Sequence, residues 1–149
     1  MKDLANNIIG VHSLVPLVRT ADANGDGVDL QGFEDAMVMV SMGAEGDTLS
    51  SSVKIDFKLE ESDDNSSFSA VSSSLAVTDG SVDSNGIFAT FDDNAEAPAV
   101  AAIGYVGGKR YIRVVADHSG SHSNGSPYAA LVIKGSPRHA GGADSSSSS

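Results

Sequence analysis

The chain predicts an all-β fold, an antiparallel β-sandwich or small barrel of jelly-roll or immunoglobulin-like type. Three observations carry that prediction. Apolar residues alternate with polar ones at a period of two, most clearly where Val53, Ile55, Phe57 and Leu59 interleave with Lys54, Asp56 and Lys58. Turn dipeptides, namely Asn24-Gly25, Asp26-Gly27, Asp79-Gly80 and Asn85-Gly86, punctuate such stretches. Almost no segment of the 149 residues carries a convincing helical period. One domain of about seven to nine short strands is the expected content.

Taken in order, residues 1–13 show no clear period and read as an N-terminal arm. Its Ile8, Ile9 and Val11 are free to pack on the domain or on a neighbour. The compact β-sandwich domain is expected to span 14–138. Leu14 to Arg19 is a short strand, and Pro16, which lacks an N–H, puts it at an edge or at a strand start. Phe33 to Met42 fits two periods. Phe33, Ala36, Met37 and Val40 sit at helical spacing, but the run is short and every neighbour is extended, so it reads as a buried strand. The strand through Phe57 runs into Glu61-Ser62-Asp63-Asp64-Asn65-Ser66-Ser67-Phe68, a polar turn whose side chains bond nearby backbone before an aromatic returns to the core.

Val71, Leu75 and Val77 form a weaker strand, and Ile87, Ala89 and Phe91 another that ends at Asp92-Asp93-Asn94. Ile103 to Val106 and Tyr111 to Val115 flank Gly107-Gly108 and read as a tight hairpin. Asp117 to Pro127 is a loop of Gly, Ser, His and Asn, and Tyr128 to Lys134 is apolar enough to be a central strand. Residues 139–149 end in five serines, have nothing to pack with in isolation, and read as a flexible tail.

Charge and composition exclude several functions. Nine Lys and Arg against 20 Asp and Glu leave a net charge of −11, which argues against nucleic acid because each phosphate contact requires a cation. Lys109, Arg110, Arg113, Lys134 and Arg138 crowd toward the C-terminal end, where scattered surface charge competes with a basic patch. Lys109, Arg110 and Arg138, together with Ile8, Ile9 and Val11, are the candidate partner-binding residues. Without cysteine there is no disulfide framework and no thiol chemistry, which fits synthesis in a reducing cytoplasm. No apolar run approaches the ~20 residues of a spanning helix, so no membrane partner is expected. The N-terminus is too broken by polar residues to resemble a signal peptide.

Each candidate for chemistry has a plainer reading beside it. Asp22, Asn24 and Asp26 followed by Gly27 match positions 1, 3, 5 and 6 of a calcium loop, but position 12 is Phe33 and no helix precedes it. Turn formation explains the same letters, so no metal is assigned. His118 and His122 stand four apart, yet Gly120, Asn124 and Gly125 oppose the helix that would aim both at zinc. Asp117, His118 and Ser119 contain the letters of a hydrolase triad on consecutive residues, where a relay needs separate elements. Tyr105, Tyr111 and Tyr128 suit a stacking platform, or a core with hydroxyls at its rim. No catalytic residue, cofactor or enzyme activity is expected.

Three segments carry a family resemblance: Val-Arg-Thr-Ala-Asp-Ala-Asn-Gly-Asp-Gly-Val-Asp-Leu from Val18, Glu-Ser-Asp-Asp-Asn-Ser-Ser-Phe from Glu61, and Tyr-Val-Gly-Gly-Lys-Arg-Tyr-Ile-Arg-Val from Tyr105. They resemble small virion proteins of tailed bacteriophages, of the siphophage and gene-transfer-agent-like kind. The resemblance implies a capsid decoration or cement protein, made in the bacterial host cytoplasm and carried on the outer capsid surface of the virion. Its implied partners are the major capsid protein and further copies of itself around a capsid symmetry axis. A tail, connector or fibre component, and a carbohydrate-binding β-sandwich using the loops near Asp63 and His118, are the alternatives. The sugar reading needs an exposed aromatic beside those carboxylates, so Phe68 or Tyr128 at the surface raises it and burial of both lowers it.

Overall fold

In the computed structural model, residues 3–137 are described, and they form two antiparallel sheets packed face to face. The strands are β1 (Ile8–Arg19), β2 (Ala23–Asn24), β3 (Val28–Asp29), β4 (Phe33–Met42), β5 (Lys54–Ser62), β6 (Ser69–Ala70), β7 (Val77–Thr78), β8 (Ile87–Phe91), β9 (Ala99–Tyr105), β10 (Tyr111–Ser119) and β11 (Ser126–Pro137). Sheet A runs β1-β11-β4-β9-β7; in sheet B, β2 and β3 flank one side of β10, β5 the other, and β6 and β8 pair the far side of β5. The architecture is a sandwich. Its core lies between the inner rows: Ile55, Phe57, Leu59, Ile112 and Val114 from sheet B against Val38, Val40, Ile103, Ala130 and Val132 from sheet A.

Several elements follow their sequence patterns. Along β5, Ile55, Phe57 and Leu59 are fully buried while Lys54, Lys58 and Glu60 stay partly exposed. Phe33–Met42 is a strand, and β11 is central between β1 and β4.

Others differ. Ile8 to Ser13, expected as an arm, is the first half of β1: Ile8, Ile9 and Val11 pair with Gly135, Lys134 and Val132 at the edge of sheet A. The strands expected to form a hairpin around Gly107-Gly108 lie in different sheets, because β9 pairs with β4 and β7 while β10 pairs with β5. Both edges of each strand are taken, so the glycine turn crosses between layers. The weak strand through Leu75 is broken into β6, a 3-10 turn at Ser74–Ala76 and β7; Ser73 Oγ accepts the Leu75 N–H at 3.2 Å and leaves Leu75 outside. The loop expected over Asp117 to Pro127 shrinks to the segment between Ser119 and Ser126. The tail at 139–149, and Arg138, lie outside the described residues.

One side chain ties the two sheets at their edge. On the outer edge of β10, β3 pairs Ile112 and β2 pairs Val115, leaving a gap at Val114. Ser13 of β1 fills it: its Oγ accepts the Val114 N–H at 2.9 Å and donates to the Asp26 carbonyl at 3.0 Å. The Val114 carbonyl accepts the Gly25 N–H at 2.8 Å. Ser13→Ala strands a fully buried N–H, so a loss of about 1–3 kcal/mol is expected. Urea denaturation of the variant beside wild type measures it; an unchanged midpoint contradicts the role given to Ser13.

Candidate interaction face

The outer face of sheet A is built by the alternation that buries its inner face. Residues directly opposite on neighbouring strands share a face. The register therefore lays out three rows: His12, Leu131, Met39 and Ala102; Gly10, Ile133, Met37 and Gly104; and Ala129, Ser41 and Val100. None of these positions holds Asp, Glu, Lys or Arg in a chain of net charge −11. Met37, Met39, Leu131 and Ile133 are half-buried, Ala102 is exposed, and Val100 is 63% exposed. Near-continuous apolar strands such as Ala36 to Met42 are the pattern of sheets covered on both faces. Here the second cover is absent from the chain's own described residues.

The outer face of sheet B is the opposite in character. Lys58 Nζ lies 2.9 Å from Asp117, Arg113 lies 2.6 Å from Glu60, and Asp56 accepts a hydrogen bond from Thr90 at 2.6 Å. These groups satisfy one another across the strands and present water with a charge-paired surface.

The remaining candidates are placed as follows. Asp22 accepts the His118 backbone N–H at 2.6 Å, and Asn24 sits in β2 opposite Val115. The two glycines of that segment serve close packing. A Cβ on Gly25 would lie 2.4 Å from the Val114 carbonyl oxygen, and one on Gly27 would collide with Asn65 and Phe68. Asp22, Asn24 and Asp26 are not gathered around a cation, and no group of three metal-ligating side chains occurs among the described residues.

Asp117, His118 and Ser119 are pulled apart: Asp117 to Lys58, His118 Nε2 to the Tyr128 hydroxyl at 2.8 Å, and the Ser119 carbonyl to His122 Nε2 at 2.9 Å. The His118 and His122 rings pack edge to face with centroids 4.6 Å apart, and neither Nδ1 has a partner. Arg19, whose guanidinium lies over the Tyr128 ring, together with Asp22 and Asp117, completes the charged surroundings of His118. Tyr128 itself is pushed up to about 12 by burial.

Burial, and then the neighbouring His122, hold His118 below its ordinary 6.5. The unfolded chain therefore takes up that proton at a higher pH than the folded chain does. The stability tied to neutral His118 is complete above about pH 6.5 and falls as the pH drops toward the depressed folded value. The melting temperature is expected to decline over this window, and to decline less in His118→Gln. Equal slopes for the two proteins would refute the assignment.

The expected partner-binding residues divide. Ile8 shares the outer side of sheet A with Gly135, whereas Ile9 and Val11 lie on the inner side beside Lys134 and Val132. Lys109 and Arg110 do not form a free basic patch. Lys109 Nζ lies 2.8 Å from Asp63, and Arg110 grips Asp29 through two bonds of 3.0 and 2.8 Å. That guanidinium holds the Asp29 carboxyl below the usual carboxylate range. Lys134 is buried, which pushes its pKa down; its Nζ donates to the Asp29 carbonyl and sits over the Phe33 ring.

No exposed aromatic platform is left for a sugar among the residues weighed for one. Tyr105 and Tyr128 are buried, the Arg113 guanidinium lies 4.1 Å over Phe68, and Arg110 covers Tyr111. The hollow of about 520 Å³ near Tyr105 is lined by the already paired Asp63, Lys109 and Arg110.

No protein-family model and no curated protein matches this sequence. The segments that begin at Val18, Glu61 and Tyr105 meet in space. Gly27 abuts Asn65 and Phe68, Glu61 accepts the Tyr105 hydroxyl at 2.7 Å, Lys109 pairs with Asp63, and Asp29 with Arg110. They form one structural corner, and Tyr105 of that corner also lines a hollow with Met37 and Ile133 of the apolar face. The face itself was missed in the sequence, although its signal was present in the unbroken apolar runs of β4, β9 and β11.

Proposed function

We propose that the chain is a virion structural protein, a capsid decoration or cement protein without catalytic chemistry. It sits on the outer surface of a phage head and binds the major capsid protein lattice through the outer face of sheet A. The observation that carries this reading is the uncharged apolar layer around Met37, Met39, Leu131 and Ile133 on an otherwise strongly acidic molecule. The largest contiguous apolar patch on a folded chain is often functional. A sandwich with no gathered catalytic groups among the described residues suits a cementing role, in which many equivalent weak contacts sum over a lattice. The resemblance of the segments from Val18, Glu61 and Tyr105 to small virion proteins supports the choice of a capsid as the partner.

Mixing the purified chain with undecorated expanded capsids tests the reading. Co-sedimentation at a fixed, saturating number of copies per capsomer is expected. Because the three central rows of the docking face hold no Asp, Glu, Lys or Arg, with Asp35 only in the row beyond them, binding should persist in high salt, where ion pairs between exposed groups are screened. Absence of co-sedimentation at every salt concentration defeats the proposal, and binding to tails alone moves the protein elsewhere on the virion.

A further inference from the structure

We propose that Asn124 is a guarded modification site. The Asp47 carboxylate holds the Gly125 N–H that would attack the Asn124 side chain, and opening this clamp converts Asn124 to aspartate and isoaspartate. Asn-Gly pairs are especially prone to that change, because glycine lacks a Cβ and lets its nitrogen swing against the preceding carboxamide. The sequence has three such pairs, at Asn24, Asn85 and Asn124. Attack requires the glycine nitrogen to turn inward and give up its proton, and a hydrogen-bonded N–H is held back from both.

The fold occupies all three N–H groups, in different ways. Gly25 donates to the Val114 carbonyl at 2.8 Å, and Gly86 donates to the Asp83 carbonyl at 3.0 Å within its own turn. Gly125 donates instead to a side chain, Asp47 Oδ2, at 2.7 Å. Asp47 Oδ1 also accepts the Asn124 N–H at 3.0 Å and the Ser123 hydroxyl at 3.3 Å. A single carboxylate from the loop between β4 and β5 thus pins three consecutive residues of the loop between β10 and β11. Those bonds, led by that from the Asn124 N–H, hold the carboxyl below the usual carboxylate range, so it stays an ionised acceptor at neutral pH.

The labile pair is itself imposed by the fold. Gly125 has φ +82°, in the left-handed region, and a Cβ there would lie 2.8 Å from the Arg19 carbonyl oxygen. Asn124 Nδ2 donates to the Gly46 carbonyl at 2.8 Å, beside the Gly46 N–H bond to the Gly125 carbonyl at 2.9 Å. Gly125 is buried while Asn124 is exposed, so water reaches the side chain.

The chemistry requires only water. The Gly125 nitrogen bonds to Asn124 Cγ, the Cγ–Nδ2 bond breaks, and the Gly125 proton leaves with the amide nitrogen as ammonia. Water then adds to either carbonyl of the resulting succinimide and opens it to aspartate or to isoaspartate, whose main chain is longer by a methylene. Neither product restores the closed loop. The new carboxylate cannot donate to the Gly46 carbonyl, and it adds a second negative charge to a turn that Asp47 already holds. The change is therefore one-way.

Incubation of the folded full chain in mildly alkaline buffer, read by peptide mass spectrometry and enzymatic labelling of isoaspartate, tests the guard. In folded wild type, conversion at Asn124 is expected to be far slower than in urea, where all three Asn-Gly pairs convert. In Asp47→Ala, conversion at Asn124 is expected to rise about ten- to a hundredfold, the range set by losing hydrogen bonds to a charged acceptor. Asn24 and Asn85 should keep their wild-type rates, since Gly25 and Gly86 donate to backbone carbonyls. Asp47→Asn, which keeps the side-chain shape but only one acceptor oxygen, is expected to give a smaller rise at Asn124 alone. Wild type converting at Asn124 as fast when folded as in urea, or no rise at Asn124 in either variant, overturns the guard. Equal rises at all three sites in both variants overturn it too, because Asp47 would then support the whole fold rather than one bond.

Discussion

Leu131→Asp combined with Met39→Lys is expected to leave the chain folded and to abolish its retention on capsids. The two residues are directly opposite on β11 and β4, so the introduced carboxylate and ammonium face each other on one sheet surface. Opposite charges in that geometry support the strand pair, by about 0.2–1 kcal/mol. Both positions are only half-buried in the isolated chain, so little core packing is lost. Against a partner, the same charges must be stripped of water. Interface residues at the centre of an apolar patch commonly contribute about 2 kcal/mol or more each. Losing two of them corresponds to roughly a thousandfold weaker binding. Co-sedimentation measures the loss, and a thermal melt verifies the fold. Lys58→Gln on the outer face of sheet B is the control, expected to leave retention intact. If the control releases the protein while the double variant stays bound, the docking face has been assigned to the wrong sheet.

What the sequence disclosed follows from how each strand is solvated. β5 was legible because one of its faces is wet: Lys54, Lys58 and Glu60 mark the outside, and Ile55, Phe57 and Leu59 the inside. β4 was legible as a strand, but its unbroken Ala-Met-Val-Met-Val run reads from the sequence only as a buried strand. In a two-layer sandwich, a strand that is apolar on both sides has one side with no layer over it. Recognising this requires the number of layers, which no local stretch encodes.

The first half of β1 was hidden for a different reason. Ile8 faces the outer side while Ile9 and Val11 face the inner side, so apolar residues occupy both faces and Ile8 to Ser13 shows no period-two pattern. Gly107-Gly108 suits a tight hairpin and a crossover between layers equally well, and only the long-range pairing of β10 with β5 decides between them. The calcium-like letters at Asp22 to Gly27 illustrate the same limit. Gly25 and Gly27 are required by the backbone and side chains that press against them, which lie far away in sequence.

Phe57→Ala is expected to cost about 3–5 kcal/mol, the upper range for removing a buried aromatic. Phe57 is fully buried and spans the two layers: its ring meets Phe91 edge to face at 5.8 Å on its own sheet and Tyr128 at 5.0 Å from the other. Its cross-strand neighbours are Ala116 on β10 and Ala89 on β8, small residues that leave the space the ring fills. Nothing nearby can close the gap, because β10 and β5 are locked by a continuous ladder and the alanines have no reach. The cavity term is therefore retained almost whole. Loss of the ring also removes support from Tyr128, whose hydroxyl holds His118. For a domain with about 5–15 kcal/mol of stability, this is about a fifth of the total or more. Phe68→Ala offers the contrast, since that ring is half-exposed under Arg113 and its removal should cost well under half as much. Urea midpoints of the two variants beside wild type decide the matter. If Phe57→Ala proved no worse than Phe68→Ala, the packing between the sheets would not be centred on Phe57.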